Sequence, residues 1–552
     1  MSATTKLDVK LFLAVSFVCL VFAAYTGHAW EDYWITYRAS RNLATGHGLV
    51  FTPGERLQTF TSPLGVLLPA ALCWLTGNRS DELVLWLFRV VSITAFAAAV
   101  VCLLHVLLAH QRHRVATLIT VALVALDAKT VDFTINGMET GLLLFFLALA
   151  VHGLLVSGPR QMLRIGIGWA GLMWTRPDGV VYIGALGLAA LVFPPAAGVR
   201  AGRAWWRTLL GAALVCAASY LPWVLWTWWY YGSPVPHTVV AKATNRPALS
   251  PLAVVEDFLL FPVQLLVGDS SVAWTYLPHY AWFGGWVDPL HAAARVCGLA
   301  AAFAWLLPVL RPQTRLLSLA CYLVQFYLSA VLRAYFPWYL PAGAVLGYLT
   351  LGMLFDQTLS LASMLPRLGW DRGWFRHLPL ALRGAAIVLV AGQAAVTVCV
   401  ARQMQVQQTL IEDGMRRQIG MWLHDHARSP RDTVLLEPLG YIGYFSDLKM
   451  LDFAGLSSTE MVETRRRLGA EKESYAYLEL RPDWLVLRPA EARPGGIVDP
   501  ARLAELYDVV QVFDTADKVR AVRWLPGRGY LEFDQRFVVL RRKADGVPSP
   551  AR

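Results

Sequence analysis

Long apolar segments recur through the first 401 residues, and they constrain the fold of this chain more than any other feature. A helix needs about 20 apolar residues to cross a bilayer, and irregular backbone cannot face lipid. The sequence therefore predicts a polytopic α-helical membrane protein, as its 56% hydrophobic and 16% charged residues also indicate. We expect about eleven transmembrane helices, at 10–29, 82–109, 115–128, 139–157, 161–175, 179–195, 207–230, 291–310, 315–332, 337–355 and 380–401. The segment 64–77 follows Pro63 and is short, so we expect it to lie in the outer interface.

Basic residues set the orientation, because short cytoplasmic loops retain Lys and Arg. With the N-terminus inside, all the loops predicted to be cytoplasmic are basic: Lys6, Lys10, Arg112, Arg114, Arg160, Arg164, Arg200, Arg203, Arg207, Arg311, Arg315, Arg367, Arg372, Arg376 and Arg383. All acidic residues before 402 except Asp8, Asp356 and Asp371 then lie outside. The net charge of +11 is thus mainly a topology signal, and we predict no nucleic-acid partner. The chain is expected in the cytoplasmic (inner) membrane, with 10–29 retained as the first helix since Tyr25–Trp30 is a poor cleavage site.

The composition changes at residue 402, which divides the chain into a membrane domain, 1–401, and a second domain, 402–552. Short apolar runs at 433–437, 441–445, 483–487, 509–513 and 537–540 predict strands. Helix-like stretches at 404–427 and 459–474 separate them, so we expect a soluble α/β domain. An odd number of spans places this domain outside the membrane. The seven cysteines all precede it and lie in apolar segments, which indicates core positions rather than disulfides.

Polar residues concentrate in the loops predicted to be external. The first of these loops, 29–81, begins with the acidic pair Glu31-Asp32 directly after the first apolar segment. The later loops add Asp127, Lys129, Asp132, Asn136, Glu139, Arg176, Asp178, His237, Lys242, Asn245, Arg333 and Tyr335. Carboxylates near Arg and Lys suit a reaction in which an oxygen nucleophile loses a proton while a phosphate departs.

Several motifs in these loops resemble those of one enzyme family. The patterns are Glu31-Asp32-x-x-Ile35-Thr36-x-Arg38, Pro53-Gly54-Glu55-Arg56, Thr61-Ser62-Pro63-Leu64, Asn136-Gly137-Met138-Glu139-Thr140, Trp174-Thr175-Arg176-Pro177-Asp178-Gly179, Pro236-His237-Thr238-x-x-Ala241-Lys242 and Arg333-x-Tyr335-Phe336-x-x-Tyr339-Leu340-Pro341. They are similar to motifs of bacterial glycosyltransferases of the GT-C fold, in the branch of the terminal arabinofuranosyltransferases and, more distantly, the lipid A aminoarabinose transferase. The chain departs from the family pattern in having Glu31 where Asp is commoner, Asp178 where Glu is common and His237 where Asn is frequent.

The resemblance implies transfer of a sugar from a polyprenyl-phosphate donor, with arabinofuranose or a related pentose favoured. The acceptor would be a glycan, lipid or protein on the outer face of the membrane. By motif position Asp32 is the expected catalytic carboxylate, with Glu31 as a second acid or metal ligand. The remaining roles implied are donor-phosphate binding by Arg38, Arg41, Lys242 and Arg333, substrate binding or structural support by Arg176, Asp178, Asn136 and Tyr335, and a divalent cation (Mg²⁺ or Mn²⁺) at Glu139 and His237.

Other interpretations fit the same residues. The acidic pair could cap the helix that follows it, the cations could be interfacial side chains that snorkel, and Arg176 with Asp178 could form an internal salt bridge. A non-catalytic assembly protein with a degenerate transferase fold is the main alternative function. A transporter is less favoured, since no repeated half is visible and the acids lie outside the midplane.

Overall fold

The chain divides into two compact units that interleave along the sequence. The computed structural model describes residues 3–195, 202, 204–244, 250–267, 271–333, 336–364 and 373–543. The first, here the helical unit, comprises 1–27, 87–222 and 249–403; the second, here the sheet unit, comprises 28–86, 223–248 and 404–552. The predicted domain boundary at 401/402 lies close to the point where the chain last enters the sheet unit. The first outer loop, however, which was assigned to the membrane domain, packs with the residues after 404.

The helical unit is built from apolar helices. The helices that contribute to it are Ala3–Thr26, Asp81–His110, Arg114–Ala125, Ala128–Ile135, Thr140–Leu155, Gln161–Thr175, Gly179–Val192, Ala204–Tyr231, Pro251–Val267, Ser271–Trp274, Asp288–Phe303, Pro312–Phe326, Leu340–Met364 and Gly373–Val406. Asp127 caps the short helix Ala128–Ile135 by accepting a hydrogen bond from the backbone N–H of Thr130 at 2.8 Å.

Fewer helices than predicted have the length of a membrane span. Among the described residues, seven are long and apolar enough: Thr5–Thr26, Asp81–His110, Ala204–Tyr231, Asp288–Leu306, Pro312–Val331, Pro337–Met364 and His377–His426. An eighth is obtained if Ala128–Ile135 and Thr140–Leu155, bent by 119° at their junction, count as one span. Segments predicted to span at 115–128 and 179–195 form the shorter apolar helices Arg114–Ala125 and Gly179–Val192. The lengths therefore confirm a multi-pass helical protein, and the count of eleven stays a prediction.

The sheet unit contains a five-stranded mixed sheet. Its strands are β1 (Thr433–Leu436), β2 (Lys449–Asp452), β3 (Trp484–Leu487), β4 (Tyr507–Asp514) and β5 (Arg536–Arg542). They lie in the order β2-β1-β3-β5-β4, with β1 parallel to both β2 and β3, and β5 antiparallel to β3 and β4. Helices Thr459–Leu468 and Ala476–Leu480 connect β2 to β3, so the parallel part is an α/β arrangement as predicted.

One predicted strand is a helix. The run 441–445 lies within helix Gly440–Ser446. Tyr441 and Tyr444 are buried at a spacing that fits one face of a helix, but the residues between them are buried as well. A five-residue apolar run is too short to distinguish the period of a strand from that of a helix. The helix stretch predicted at 404–427 is present, with a π-helical section at Gln407–Arg416 followed by the α-helix Arg417–His426.

The first outer loop forms two helices in the sheet unit. Glu31–Ala44, named α2 below, carries both acids in its first turn, where they face the positive end of the helix dipole. Pro63–Leu75 starts with Pro63 in its first turn and is capped by Ser62, which accepts from the backbone N–H of Gly65. Helix Gly440–Ser446, named α19 below, packs against α2. The ring of its Tyr444 lies 4.7 Å from that of Trp34 in α2.

Candidate functional site

Glu31 begins α2 and both its carboxylate oxygens are engaged within the sheet unit. Its Oε1 accepts from the backbone N–H of Gly440 at 2.9 Å, and its Oε2 lies 3.1 Å from Nη1 of Arg416. Gly440 is required at this contact, since a Cβ there would lie 2.1 Å from the backbone oxygen of Glu31. The geometry gives Glu31 an anchoring role, and its predicted catalytic role stays a prediction.

Arg416 belongs to a charge cluster, here the Arg416 cluster, formed with Arg488 and the carboxylates of Glu31, Glu412, Glu491 and Asp534, and with the exposed carboxylate of Glu437. Arg416 contacts Glu412 at 2.9 Å and Asp534 at 2.6 Å, and Arg488 contacts the other oxygen of Asp534 at 2.5 Å. Glu412 and Arg416 both belong to the π-helical section Gln407–Arg416, and both side chains point into this cluster. Since carboxylates outnumber guanidiniums among these residues, the cluster favours retention of a proton.

Burial and nearby charges change the pKa of the Glu31 carboxyl group. Burial raises the pKa of Glu31 to about 8; the charge of Arg416 opposes this shift, whereas Glu412 and Glu437 reinforce it. Asp32 is the next residue, about 100° further round the helix, and its side chain is half-buried. The two acids therefore do not share one environment: Glu31 faces the Arg416 cluster and Asp32 points to a different side of α2.

Arg38, which was predicted to bind the donor phosphate, is buried among groups of the sheet unit. Its side chain is 1% exposed, and its Nη1 donates to the carbonyls of Gly443 at 2.6 Å and Leu448 at 3.1 Å. Nη2 lies 3.3 Å from Asp447, and the guanidinium sits over the ring of Phe51 at 4.4 Å. Burial lowers the pKa of Arg38 to about 10, so it stays charged near neutral pH. These contacts argue against a role in binding the donor phosphate, because the guanidinium is already committed to the protein.

Arg41 is one helical turn further along α2 and is more accessible. Its side chain is 24% exposed, lies over the ring of Tyr444 at 4.5 Å and reaches Asp447 at 3.4 Å. Lys242 is half-buried in the last turn of the short helix His237–Ala243. The phosphate-binding role predicted for these two residues stays a prediction.

The loop between the first two helices of the sheet unit is held by the last two residues of its Pro53-Gly54-Glu55-Arg56 motif. Glu55 pairs with Lys449 at 2.6 Å, and Arg56 lies over the ring of Tyr230 at 5.3 Å. His237 extends this attachment: its backbone N–H donates to the carbonyl of Gln58, and its Nε2 is 3.0 Å from the carbonyl of Gly455. The motif residues thus fix the loop.

A second group of predicted residues lies in the helical unit. Arg176 pairs with Asp178 at 2.9 Å and Glu139 at 3.3 Å, and its guanidinium lies over the ring of Tyr339 at 4.4 Å. The internal salt bridge considered for Arg176 and Asp178 is present, with Glu139 as a further partner. All three side chains are at most 10% exposed.

Asn136 shapes the bend that precedes Glu139. Its amide donates to Asp132 at 3.0 Å, and its Oδ1 accepts from the backbone N–H of Met138 at 3.3 Å. Gly137 follows with φ of 92°, a conformation that favours glycine. The geometry therefore supports the structural alternative for Asn136.

Two residues complete the predicted set. Arg333 is 52% exposed, has φ of 49° and lies 3.4 Å from Asp257 in the helical unit. Tyr335 lies outside the described residues.

The side chains predicted to bind a metal ion do not form a complete set of ligands among the described residues. Within the described part of the chain, no group of three or more His, Cys, Asp or Glu side chains could hold a metal ion. Glu139 pairs with Arg176, and the Nε2 of His237 is directed at Gly455. These residues, taken singly, do not fit a divalent cation site.

A polar pocket of about 210 Å³ lies at the amino ends of β1 and β3, lined by Arg428, Asp432, Asp483, Trp484, Arg541, Arg542 and Lys543. No predicted site residue lines it. It lies at the opposite end of these strands from Glu437 and Arg488, which follow β1 and β3 in the Arg416 cluster.

Arg416, Gly440 and Asp534 were not recognised from the sequence. Arg416 stands in a polar helical stretch where a single arginine is usually exposed, and Asp534 lies 118 residues further along the chain. The sole local signal was the spacing of Glu412 and Arg416, four residues apart on a helix.

Comparison with known proteins follows the same division of the chain. Residues 400–534 match the profile of a domain of unknown function, DUF8728. The terminal beta-(1->2)-arabinofuranosyltransferases of Corynebacterium glutamicum and Mycobacterium tuberculosis are each 29% identical to this chain over 258 residues. These matches cover 41% and 42% of this chain and 35% and 38% of the two proteins, so the chain spans little more than a third of the length of the curated relatives it matches.

A solved structure matches over the whole length. ArnT from Cupriavidus metallidurans, crystallised with undecaprenyl phosphate, covers 100% of both chains with a TM-score of 0.53 and 12% identity. This likeness confirms the predicted fold class. The chain has the GT-C fold of membrane glycosyltransferases, with a C-terminal domain that contains a sheet.

Proposed function

We propose that this GT-C-fold protein is a membrane glycosyltransferase that uses a polyprenyl-phosphate sugar as donor. The observation that carries the proposal is the 29% identity to two arabinofuranosyltransferases, which also favours arabinofuranose or a related pentose as the sugar. The fold shared with ArnT, whose crystal structure contains undecaprenyl phosphate, supports the donor class. The acceptor is a hydroxyl of a glycan, lipid or protein at the outer face of the cytoplasmic membrane.

The proposed reaction exchanges one bond at the anomeric carbon of the sugar. The acceptor oxygen forms a bond to that carbon, the bond from the carbon to the phosphate oxygen breaks, and polyprenyl phosphate leaves. The acceptor proton passes to a carboxylate, a role that we assign to Asp32, since Glu31 is occupied by Gly440 and Arg416.

The departing phosphate needs positive charge near it, and this electrostatic contribution is often the largest one. Arg41 and Lys242 are the candidates in the sheet unit, because Arg41 is partly exposed and Lys242 is half-buried at the end of a short helix. Arg offers a planar pair of donors to a phosphate, whereas Lys offers a point charge.

No step of this reaction is assigned to a metal ion. The cation considered at Glu139 and His237 is tested by treating the purified protein with EDTA. Unchanged transfer agrees with phosphate binding by Arg and Lys side chains alone. Loss of transfer that Mg²⁺ or Mn²⁺ restores would instead require a metal in the mechanism.

The proposal is tested by giving the purified full-length protein a panel of polyprenyl-phosphate donors carrying a pentose or a hexose. We expect turnover of the arabinofuranosyl donor and release of polyprenyl phosphate. In parallel, intact-glycan mass spectrometry of cells with and without the gene should show a difference of one pentose. Cells that differ by a hexose would contradict the sugar class, and no glycan difference together with no turnover would favour the assembly-protein alternative.

A further inference from the structure

The sheet of the sheet unit has a crevice of the kind that binds ligands in α/β proteins. From β1 the chain passes to β2 on one side, and β3 lies on the other side of β1. This reversal of strand order opens a crevice at the carboxyl ends of β1 and β3, and ligands of open α/β sheets bind at such points. Glu437 follows β1 there and Arg488 follows β3, with 2.8 Å between their charged groups.

A side chain from the first outer loop is joined to these residues through Arg416 and Asp534. Asp534, which precedes β5, joins Arg488 to Arg416, and Arg416 donates to the carboxylate of Glu31 at 3.1 Å. The other oxygen of Glu31 accepts from Gly440, in the segment that connects β1 to β2. Glu31 thus joins α2 to the charged residues beside the carboxyl ends of β1 and β3.

We propose that the C-terminal domain positions the Asp32 helix by binding Glu31 in this crevice, with Arg416 as the positioning residue. The inference rests on the proposed function of Asp32. Glu31 and Asp32 are adjacent in the first turn of α2, so the contact that fixes Glu31 also fixes the direction of the Asp32 side chain. Arg416 touches no substrate in this account and acts through Glu31.

A second attachment prevents α2 from rotating about that point. Arg38, two turns further along the helix, donates to the carbonyls of Gly443, within α19, and Leu448, beyond its end. Gly440 allows the close approach of the two helices, since a Cβ there would lie 2.1 Å from the backbone oxygen of Glu31. Two polar attachments on one helix define both its position and its rotation.

The test compares substitutions at Glu31 and Arg416 in the purified full-length protein with the arabinofuranosyl donor. Glu31→Ala and Arg416→Gln should each lower kcat at least about tenfold, with KM for the donor nearly unchanged, because a small misplacement of a catalytic group has effects of this size. Glu31→Gln should stay within about fivefold of wild type, since its amide oxygen still accepts a hydrogen bond. The double variant Glu31→Ala, Arg416→Gln should be no slower than the worse single variant, as expected for two residues that act through one contact.

The matched control is Arg465→Gln, which breaks a comparable ion pair with Glu473 at 2.8 Å in the same unit and should leave kcat unchanged. Hydrogen exchange of amides 31–44 gives a readout that needs no activity: exchange should accelerate about tenfold in Glu31→Ala and Arg416→Gln, and stay unchanged in the control. Additive effects on kcat, or a Glu31→Gln variant as slow as Glu31→Ala, would overturn the inference. If the wild-type protein transferred no sugar while the exchange pattern held, the proposed function would fail and the docking of Glu31 would stand.

Discussion

At the scale of single residues, Glu31 makes stability depend on pH. Its pKa is raised from an ordinary 4.5 to about 8 by burial in the folded protein, so the folded state binds more protons than the unfolded state between these values. Stability should therefore be highest below about pH 4.5 as far as this group is concerned, and fall as pH rises through 8. Glu31→Gln removes the titration. Thermal unfolding measured from pH 5.5 to 8.5 should show a smaller fall in Tm for Glu31→Gln than for wild type, and equal slopes would exclude Glu31 as the source.

Arg38 and Arg41 lie on the same helix but should respond differently to substitution. Arg38→Ala removes a charged donor from two backbone carbonyls and should reduce the free energy of unfolding by about 2–4 kcal/mol. Arg41→Ala removes a partly exposed side chain and should leave Tm nearly unchanged while raising KM for the donor. Urea unfolding together with steady-state kinetics separates the two. A stable Arg38→Ala protein with a raised KM would restore Arg38 to the phosphate site.

At the scale of secondary-structure elements, the two glycines of α19 should differ in their tolerance of a side chain. A Cβ at 440 would lie 2.1 Å from the backbone oxygen of Glu31, which cannot move alone, whereas a Cβ at 443 would meet the ends of the Phe51 and Met450 side chains at 3.2 Å. We expect Gly440→Ala to displace α2 and lower transfer at least about tenfold, and Gly443→Ala to be tolerated within about threefold. Transfer assays on both variants, normalised to folded protein, check this. Equal behaviour of the two would mean that the backbone adapts at 440.

The elements that sequence periodicity predicted correctly are the long apolar helices and the strands around 433, 484, 509 and 537. The period of the apolar residues and the length of the segment distinguish a helix from a strand in such cases. The helix Gly440–Ser446 was missed because its glycines and aromatic residues serve a contact with α2, 409 residues away in the Gly440–Glu31 pair. Local patterns do not contain such a contact. The π-helical section at Gln407–Arg416 likewise follows from the cluster it faces, where Gln407 donates to Glu412 at 2.8 Å.

The candidate site, like the fold, was predictable from the sequence only in part. The pairing of Arg176 with Asp178 was among the alternatives considered and is present, whereas the catalytic roles assigned to Glu31 and Asp32 by motif position stay predictions. The roles of Glu31 and Arg38 were not predictable, because their partners come from the domain after 404 and burial decides what a charged side chain can do.

At the scale of the whole molecule, the orientation predicted from basic loops can be tested by accessibility. A cysteine replacing Glu471, which is exposed in the C-terminal domain, should react with a membrane-impermeant maleimide in intact cells carrying an otherwise cysteine-free protein. One replacing Val309, which is 85% exposed beside the basic pair Arg311 and Arg315, should react only after lysis. The reverse pattern would place Asp32 on the cytoplasmic side and remove the basis for an external reaction.

The central claim is that Asp32 accepts the acceptor proton during transfer from a polyprenyl-phosphate sugar. The most direct measurement is the turnover of purified wild-type and Asp32→Asn proteins with a polyprenyl-phosphate arabinofuranose donor and a glycan acceptor. The substitution should leave the protein folded, with an unchanged Tm, and lower kcat at least about 100-fold, as is typical for loss of a general base. Turnover of Asp32→Asn equal to that of wild type would contradict the account.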